Sequence, residues 1–137
     1  MKLNQTTQYA IRLLIVLASN QNKFLIIKNI AKHLKISYKY LGTIVTSLVK
    51  AGLVESAKGR HGGIRLAMNA DEIRLIDILD AIEEPYSENE CILGIGMCGG
   101  VAPCALHSSW EKAQAVIRET FGNSTLASLE IHTDTSL

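Results

Sequence analysis

The chain has no apolar run longer than residues 13–18, six residues against the ~20 that a helix needs to cross a bilayer. A helical membrane span is therefore excluded. Gln5, Thr6, Thr7 and Gln8 break up the start, where a secretory leader would carry its apolar segment, so a cytoplasmic location and no membrane partner are expected. Cysteine is equally sparse: there are three, an odd number, all lying between Cys91 and Cys104. In a reducing compartment such a set argues against a disulfide framework and for metal binding or redox chemistry. Acids are nearly missing from the first half, where Glu55 stands alone among residues 1–68. Internal repeats, low-complexity tracts, a Walker loop, a dinucleotide fingerprint and a nucleophile-base arrangement are all lacking, and no enzyme class is indicated.

What is present is 137 residues, 47% of them hydrophobic, enough to bury the core of one ordinary domain with an appended helix. The net charge of +1 conceals a division. Residues 1–68 carry eleven Lys and Arg against one acid, a balance of +10, and residues 69–137 carry three against twelve, a balance of −9. The basic part has the electrostatic footprint of a polyanion-binding module, and the division predicts two functional regions, 1–68 and 69–137.

Helical spacing of Tyr9, Ala10, Leu13, Leu14, Val16 and Leu17 predicts a first helix, capped by Thr6 or Thr7 and ending near Ser19. Ile30, Ala31 and Leu34 place a shorter one over residues 28–34, after the apolar stretch 24–27. Ser37 starts a third, with Leu41, Ile44, Val45, Leu48 and Val49 as its buried stripe and Gly52 as its stop. Residues 53–57 and 64–67 then flank a glycine-rich basic tip, 58–63, which reads as a β-hairpin. Helix, short helix, helix and hairpin make a winged helix-turn-helix. In that module the second helix of the pair enters the major groove and the hairpin lies along the backbone or in the minor groove. Tyr38, Lys39, Tyr40, Thr43 and Lys50 are the expected duplex-facing residues of the helix; Lys58, Arg60, His61 and Arg65 are those of the wing. Gly62 and Gly63 are expected to let the wing backbone come close to phosphates, or to form a tight turn.

Beyond Asn69 the pattern predicts a brief extended piece, a helix to Glu84 stopped by Pro85, and a long helix over residues 105–121 stopped by Gly122, with Ser124 capping a last short turn. The long helix carries Leu106, Trp110, Ala113, Val116 and Ile117 along one side; a second copy of the chain is the simplest surface to cover them. The whole is expected to be mostly α with a small β-hairpin wing. Between the two helices the spacing is Cys91-x6-Cys98-x5-Cys104-x2-His107, in a glycine-rich loop. Four soft or borderline ligands suit an iron-sulfur cluster, since wide spacings wrap something larger than one ion and glycine amides donate to sulfides. A Cys3His zinc site, which usually uses short Cys knuckles, and simple thiol chemistry are the other readings.

Several stretches together resemble a known family. Tyr9-Ala-Ile-Arg-Leu-Leu14, Ser37-Tyr-Lys-Tyr-Leu41, Leu48-Val-Lys-Ala-Gly-Leu-Val54, Gly59-Arg-His-Gly-Gly-Ile-Arg-Leu-Ala67 and Asp77-Ile-Leu-Asp-Ala-Ile-Glu83, followed by three cysteines, are similar to the winged-helix transcription regulators that include IscR, NsrR and CymR. The resemblance implies a homodimer on an inverted-repeat operator in double-stranded DNA, a repressor whose long C-terminal helix dimerises. It also implies an iron-sulfur cluster on Cys91, Cys98 and Cys104, 2Fe-2S favoured over 4Fe-4S, whose state alters DNA binding in response to redox conditions, iron-sulfur supply or nitric oxide. His107 resembles the histidine ligand of IscR-like members. The first cysteine gap is six residues where IscR-like members have five, and Gln8 stands where NsrR-like members use a carboxylate. A neutral amide is a poor iron ligand. Rival readings are a zinc-dependent repressor on the same scaffold and a cluster-carrying assembly or electron-transfer protein.

Overall fold

The computed structural model describes residues 3–83, Leu93 and 104–130. Helix α1, Gln5–Ser19, is the hub of the molecule. Its residues 13–18 are all buried, and a helix apolar around its whole circumference must be covered on every side. Helices α2 (Ile27–Leu34) and α3 (Tyr38–Lys50), the antiparallel strands β1 (Val54–Ala57) and β2 (Gly63–Leu66), and helices α4 (Leu75–Ile82) and α6 (Leu126–Glu130) surround it. A 3-10 turn, Ala70–Glu72, leads from the wing into α4, and α5 spans His107–Asn123.

The cap of α1 is Asn4, whose Oδ1 accepts the Thr7 amide at 2.9 Å, rather than Thr6 or Thr7 as expected. Thr7 is instead fully buried. Helix α3 follows its expected course but for one residue: Ser37 Oγ accepts the Tyr40 amide at 3.1 Å, Leu41, Ile44, Val45 and Leu48 are buried, and Gly52 continues past the end at φ +80°, whereas Val49, expected in the buried stripe, is exposed near the end of the helix.

The hairpin pairs Val54 with Leu66 through to Ala57 with Gly63, and the apolar stretch before α2 joins it. Leu25 and Ile64 exchange two backbone hydrogen bonds of 2.8 Å, so the wing is stitched to the α1–α2 connection. This close approach accounts for Gly63, and the hairpin's own turn accounts for Gly62. A Cβ on Gly63 would lie 2.4 Å from the Leu25 carbonyl oxygen, and one on Gly62 would lie 2.2 Å from that of Ala57. Both glycines are required by the chain itself before any phosphate comes near.

The acidic part departs further from expectation. Helix α4 ends at Ile82, with Glu83 left-handed at φ 58°, so it stops short of the predicted Glu84; Glu84 and Pro85 lie outside the described residues. Helix α5 begins two residues later than expected and runs through Gly122 to Asn123. Its stop is tertiary: the Ser124 carbonyl accepts the Leu75 amide and the Ile73 carbonyl accepts the Leu126 amide, each at 2.8 Å. Ser124 is thus the end of α5, and the cap of α6 is Thr125, which exchanges hydrogen bonds of 3.2 Å with Ser128. That bridge seats Leu126 with no exposure in a core shared with Leu13, Ile73 and Ile78.

Candidate functional site

Two clusters of chemistry-bearing side chains emerge, one on α3 and the wing, the other at the start of α5. On α3, Tyr38, Lys39, Thr43 and Lys50 are exposed, Tyr38 at 56%. The hydroxyls along this face bond back to the helix: Thr43 Oγ1 donates to the Tyr40 carbonyl at 2.7 Å and Thr46 Oγ1 to that of Gly42 at 2.9 Å. Tyr40 is half-buried. Its hydroxyl is hydrogen-bonded to Thr6, and its ring meets Tyr9 edge-on at 5.9 Å, so it fixes α3 against the start of α1.

On the wing, Lys58, Arg60 and His61 stand exposed on the connection between β1 and β2. Arg65 is engaged instead. Its guanidinium lies 4.4 Å from the centre of the Phe24 ring, and its Nε donates to Glu55 across the strand pair. A half-exposed ion pair of this kind contributes little to stability, roughly 0–1 kcal/mol. It does neutralise Glu55, the one acid of the basic half, beside the wing.

The structure adds residues that sequence reasoning passed over. Lys28, in the first turn of α2, holds its Nζ 6.0 Å from the centre of the Tyr38 ring, and α2 has no side-chain cap. Uncapped amides and a lysine at a helix N-terminus suit a phosphate. The signal was available: a helix start with no Ser, Thr, Asp or Asn before it and a lysine within it.

Of the cysteine-loop residues, Cys104 and His107 are described, while Cys91 and Cys98 lie outside the described residues. The His107 amide donates to the Cys104 carbonyl at 3.0 Å, so the two donors sit at the entry to α5. His107 Nε2 is 4.0 Å from a Glu111 carboxylate oxygen. Trp110, three residues on, holds its Nε1 out of solvent with no acceptor among the described residues. Gln8 is tied locally, its Nε2 donating to the Leu3 carbonyl at 2.7 Å.

Helix α5 buries one residue, Gln114. Trp110, Ile117 and Phe121 are half-covered, whereas Leu106, Ala113 and Val116 are exposed, Val116 at 62%. The apolar stripe expected from the sequence is therefore divided between two faces, one leaning on the body and one uncovered.

A helix-turn-helix on an α1 hub, a two-stranded wing and a projecting C-terminal helix define a winged-helix transcription regulator. The family described as Rrf2, iron-dependent transcriptional regulator, matches residues 3–130, and the chain belongs to it. It is 33% identical to the HTH-type transcriptional regulator IscR of Vibrio campbellii over 131 residues, 94% of this chain and 77% of the relative. It is 32% identical to NsrR of Bacillus licheniformis over 136 residues, covering 98% and 95% of the two chains. Among solved structures, CymR, the global cysteine regulator of B. subtilis, superposes with a TM-score of 0.84 at 28% identity, over 98% of this chain and 99% of that one. The family is one of transcriptional regulators, not enzymes, and among the described residues no helix is long and apolar enough to cross a membrane.

Proposed function

We propose that the protein is a dimeric operator-binding repressor whose DNA affinity depends on an iron-sulfur cluster held by Cys91, Cys98, Cys104 and His107. The observation that carries the reading is the pairing of Cys104 and His107 at the start of the helix that leaves an apolar face uncovered. The donor set fits. Thiolate and imidazole are cluster ligands, and the stranded Trp110 N–H beside them would be satisfied by an acceptor from the cysteine loop or its cluster. When bound, the cluster supplies a centre whose charge and ligation change with redox conditions or cluster supply, 2Fe-2S being the favoured form.

The chain's own residues do the rest. His107 belongs to the first turn of α5; α5 ends on the Ser124–Leu75 hydrogen bond; Leu126 enters the core against α1; and α1 holds α3 through Thr6 and Tyr40. This chain of contacts supports the reading that a change at His107 reaches the DNA-facing helix. On the duplex, Tyr38, Thr43 and Arg60 face base edges or a narrow groove, and Lys28, Lys39, Lys50, Lys58 and His61 face phosphates. Tyr40 and Arg65 position α3 and the wing.

The test is anaerobic purification with an absorption spectrum, iron and sulfide analysis, and titration on duplex DNA with and without the cluster. Iron and sulfide in the coloured protein, with DNA affinity that changes on their removal, are expected. A colourless zinc protein with the same DNA affinity would overturn the cluster. His107→Ala is expected to yield a labile cluster, read as faster bleaching in air; an unaltered spectrum and lifetime would move the fourth ligand elsewhere.

A further inference from the structure

Helix α3 contains a glycine that nothing within the chain requires. Gly42 is the fifth residue of α3, in a helix interior, where glycine is less stable than alanine because of the backbone freedom it loses. The other glycines of the basic half have reasons on the page: Gly52 and Gly59 have φ of +80° and +105°, and Gly62 and Gly63 face carbonyl oxygens closer than any Cβ tolerates. Gly42 has neither. A Cβ built there meets no atom within 4 Å. Gly122 is equally open, but it lies in the last turn of α5, where a helix end tolerates glycine.

The surroundings of Gly42 say what uses the space. Tyr38 and Thr46 lie one turn to either side of it, and Thr43 is adjacent, all exposed. Between Tyr38 and Lys50 the helix has no Arg, Asn, Gln, Asp, Glu or His, so Lys39 and Lys50 at its two ends are its guanine-reading side chains, and the stretch between them has none that reads guanine, adenine or cytosine by paired hydrogen bonds. With Thr43 and Thr46 bonded back to the helix through their hydroxyls, what they offer outward is chiefly methyl. A low-relief, methyl-bearing surface with a bare backbone at its centre is complementary to the one base edge that itself projects a methyl group, thymine in the major groove.

We infer that Gly42 is a specificity-determining position of α3, the point of closest approach to the DNA, where the missing side chain admits a thymine C5-methyl. This rests on α3 being the operator-reading helix.

The experiment enriches duplexes from a random library with the wild-type protein. Wild type and Gly42→Ala are then titrated on the enriched sequence, with each thymine replaced in turn by deoxyuridine, which lacks only the methyl. Gly42→Ala is expected to unfold about 2–5 °C higher, since alanine suits a helix interior better. It is also expected to bind the thymine duplex at least tenfold more weakly, and to recover most of that loss when one particular thymine is replaced, the alanine methyl taking the place of the base methyl. At that same position the wild type loses affinity a few-fold. A variant that is more stable yet binds the enriched sequence as the wild type does overturns the inference, as does a variant that unfolds at lower temperature. A loss that no single deoxyuridine restores overturns the thymine assignment. If the wild type enriches no sequence at all, the operator-binding reading falls and this inference falls with it, an outcome distinct from the other three.

Discussion

Helices α3 and α5 are both amphipathic, yet they spend their apolar residues in opposite ways. In α3 nearly all of the stripe is consumed: Leu41, Ile44, Val45 and Leu48 are buried, Val49 alone of the stripe is exposed, and the rest of the outer face is left to Tyr38, Lys39, Thr43, Thr46 and Lys50. In α5, four residues longer, Gln114 is the one buried residue, and Val116, like Leu106 just before the helix, is left outside. The lesson concerns what a helix leaves uncovered. A basic, hydroxyl-rich outer face has water as an adequate partner until a polyanion arrives. An apolar outer face has no such resting partner, and one that recurs at helical spacing calls for a second, matching surface.

The contrast is broken most forcefully at Val116. Val116→Asp places a charge on the uncovered face, where burying it between two copies without a partner would cost roughly 3–5 kcal/mol per copy. Val116 is 62% exposed in the single chain, so the variant should stay folded. The expected outcome is a dimer weakened more than about a hundredfold, seen as the mass of a folded monomer in sedimentation. Trp110→Asp, on the face that leans against the body, should instead lose folded structure. An unchanged dimer in Val116→Asp would show that α5 is covered by something other than its own copy.

The next largest effect is on the core that joins the two charge regions. Leu126 has no exposure and packs with residues from α1 and α4, so Leu126→Ala should cost about 2–5 kcal/mol in urea unfolding, with a single transition. Two separate transitions would mean that the acidic part folds independently of α1.

How far this was legible depends on whether the determinants are local. Helix α3 carries its own instructions: Ser37 as cap, a 3-4 apolar repeat and Gly52 after the end. The hairpin is legible for the same reason. The end of α5 is not, because no local rule decides it. Gly122 is tolerated inside the helix, and the stop comes from Ser124 meeting Leu75, residues 49 positions apart in sequence. Likewise Tyr40 and Arg65 look like surface residues in a basic stretch, and only the packing of α1 and Phe24 against them reveals what they hold. Gly63 belongs to the same class, since the Leu25 carbonyl it accommodates comes from a distant segment. For the ligand set, Cys104 and His107 lie three positions apart and are joined by a backbone hydrogen bond, whereas Cys91 and Cys98 rest on spacing and resemblance.

The outer face of α3 and the wing should show smaller effects, confined to DNA. Arg60 stands exposed on the wing with no bearing on the core, so Arg60→Ala should leave unfolding within about 0.5 kcal/mol of wild type. If it enters a narrow groove or meets a base edge, operator affinity should fall by ~1–3 kcal/mol, with relaxed preference at the base pairs beneath the wing. A titration in which all sequences weaken equally would reassign it to the phosphates.

Lys39 is the finest test, because it separates charge from reading on α3 itself. It lies in the first turn, exposed, beside Tyr38 and three residues before Gly42. A lysine there opposes the positive end of the helix dipole, so its removal should not lower stability and any change should stay within about 0.5 kcal/mol. Its value must then lie in the complex. As a flexible point charge it neutralises a phosphate and releases counterions, without the paired geometry that distinguishes bases. Lys39→Ala should therefore weaken operator and unrelated duplex by the same few-fold factor and reduce the slope of log affinity against log salt by about one. Equal slopes in variant and wild type would take Lys39 off the backbone. A loss confined to one sequence would make it a reader of bases, and α3 would then discriminate by charge as well as by the fit of its bare, methyl-lined face.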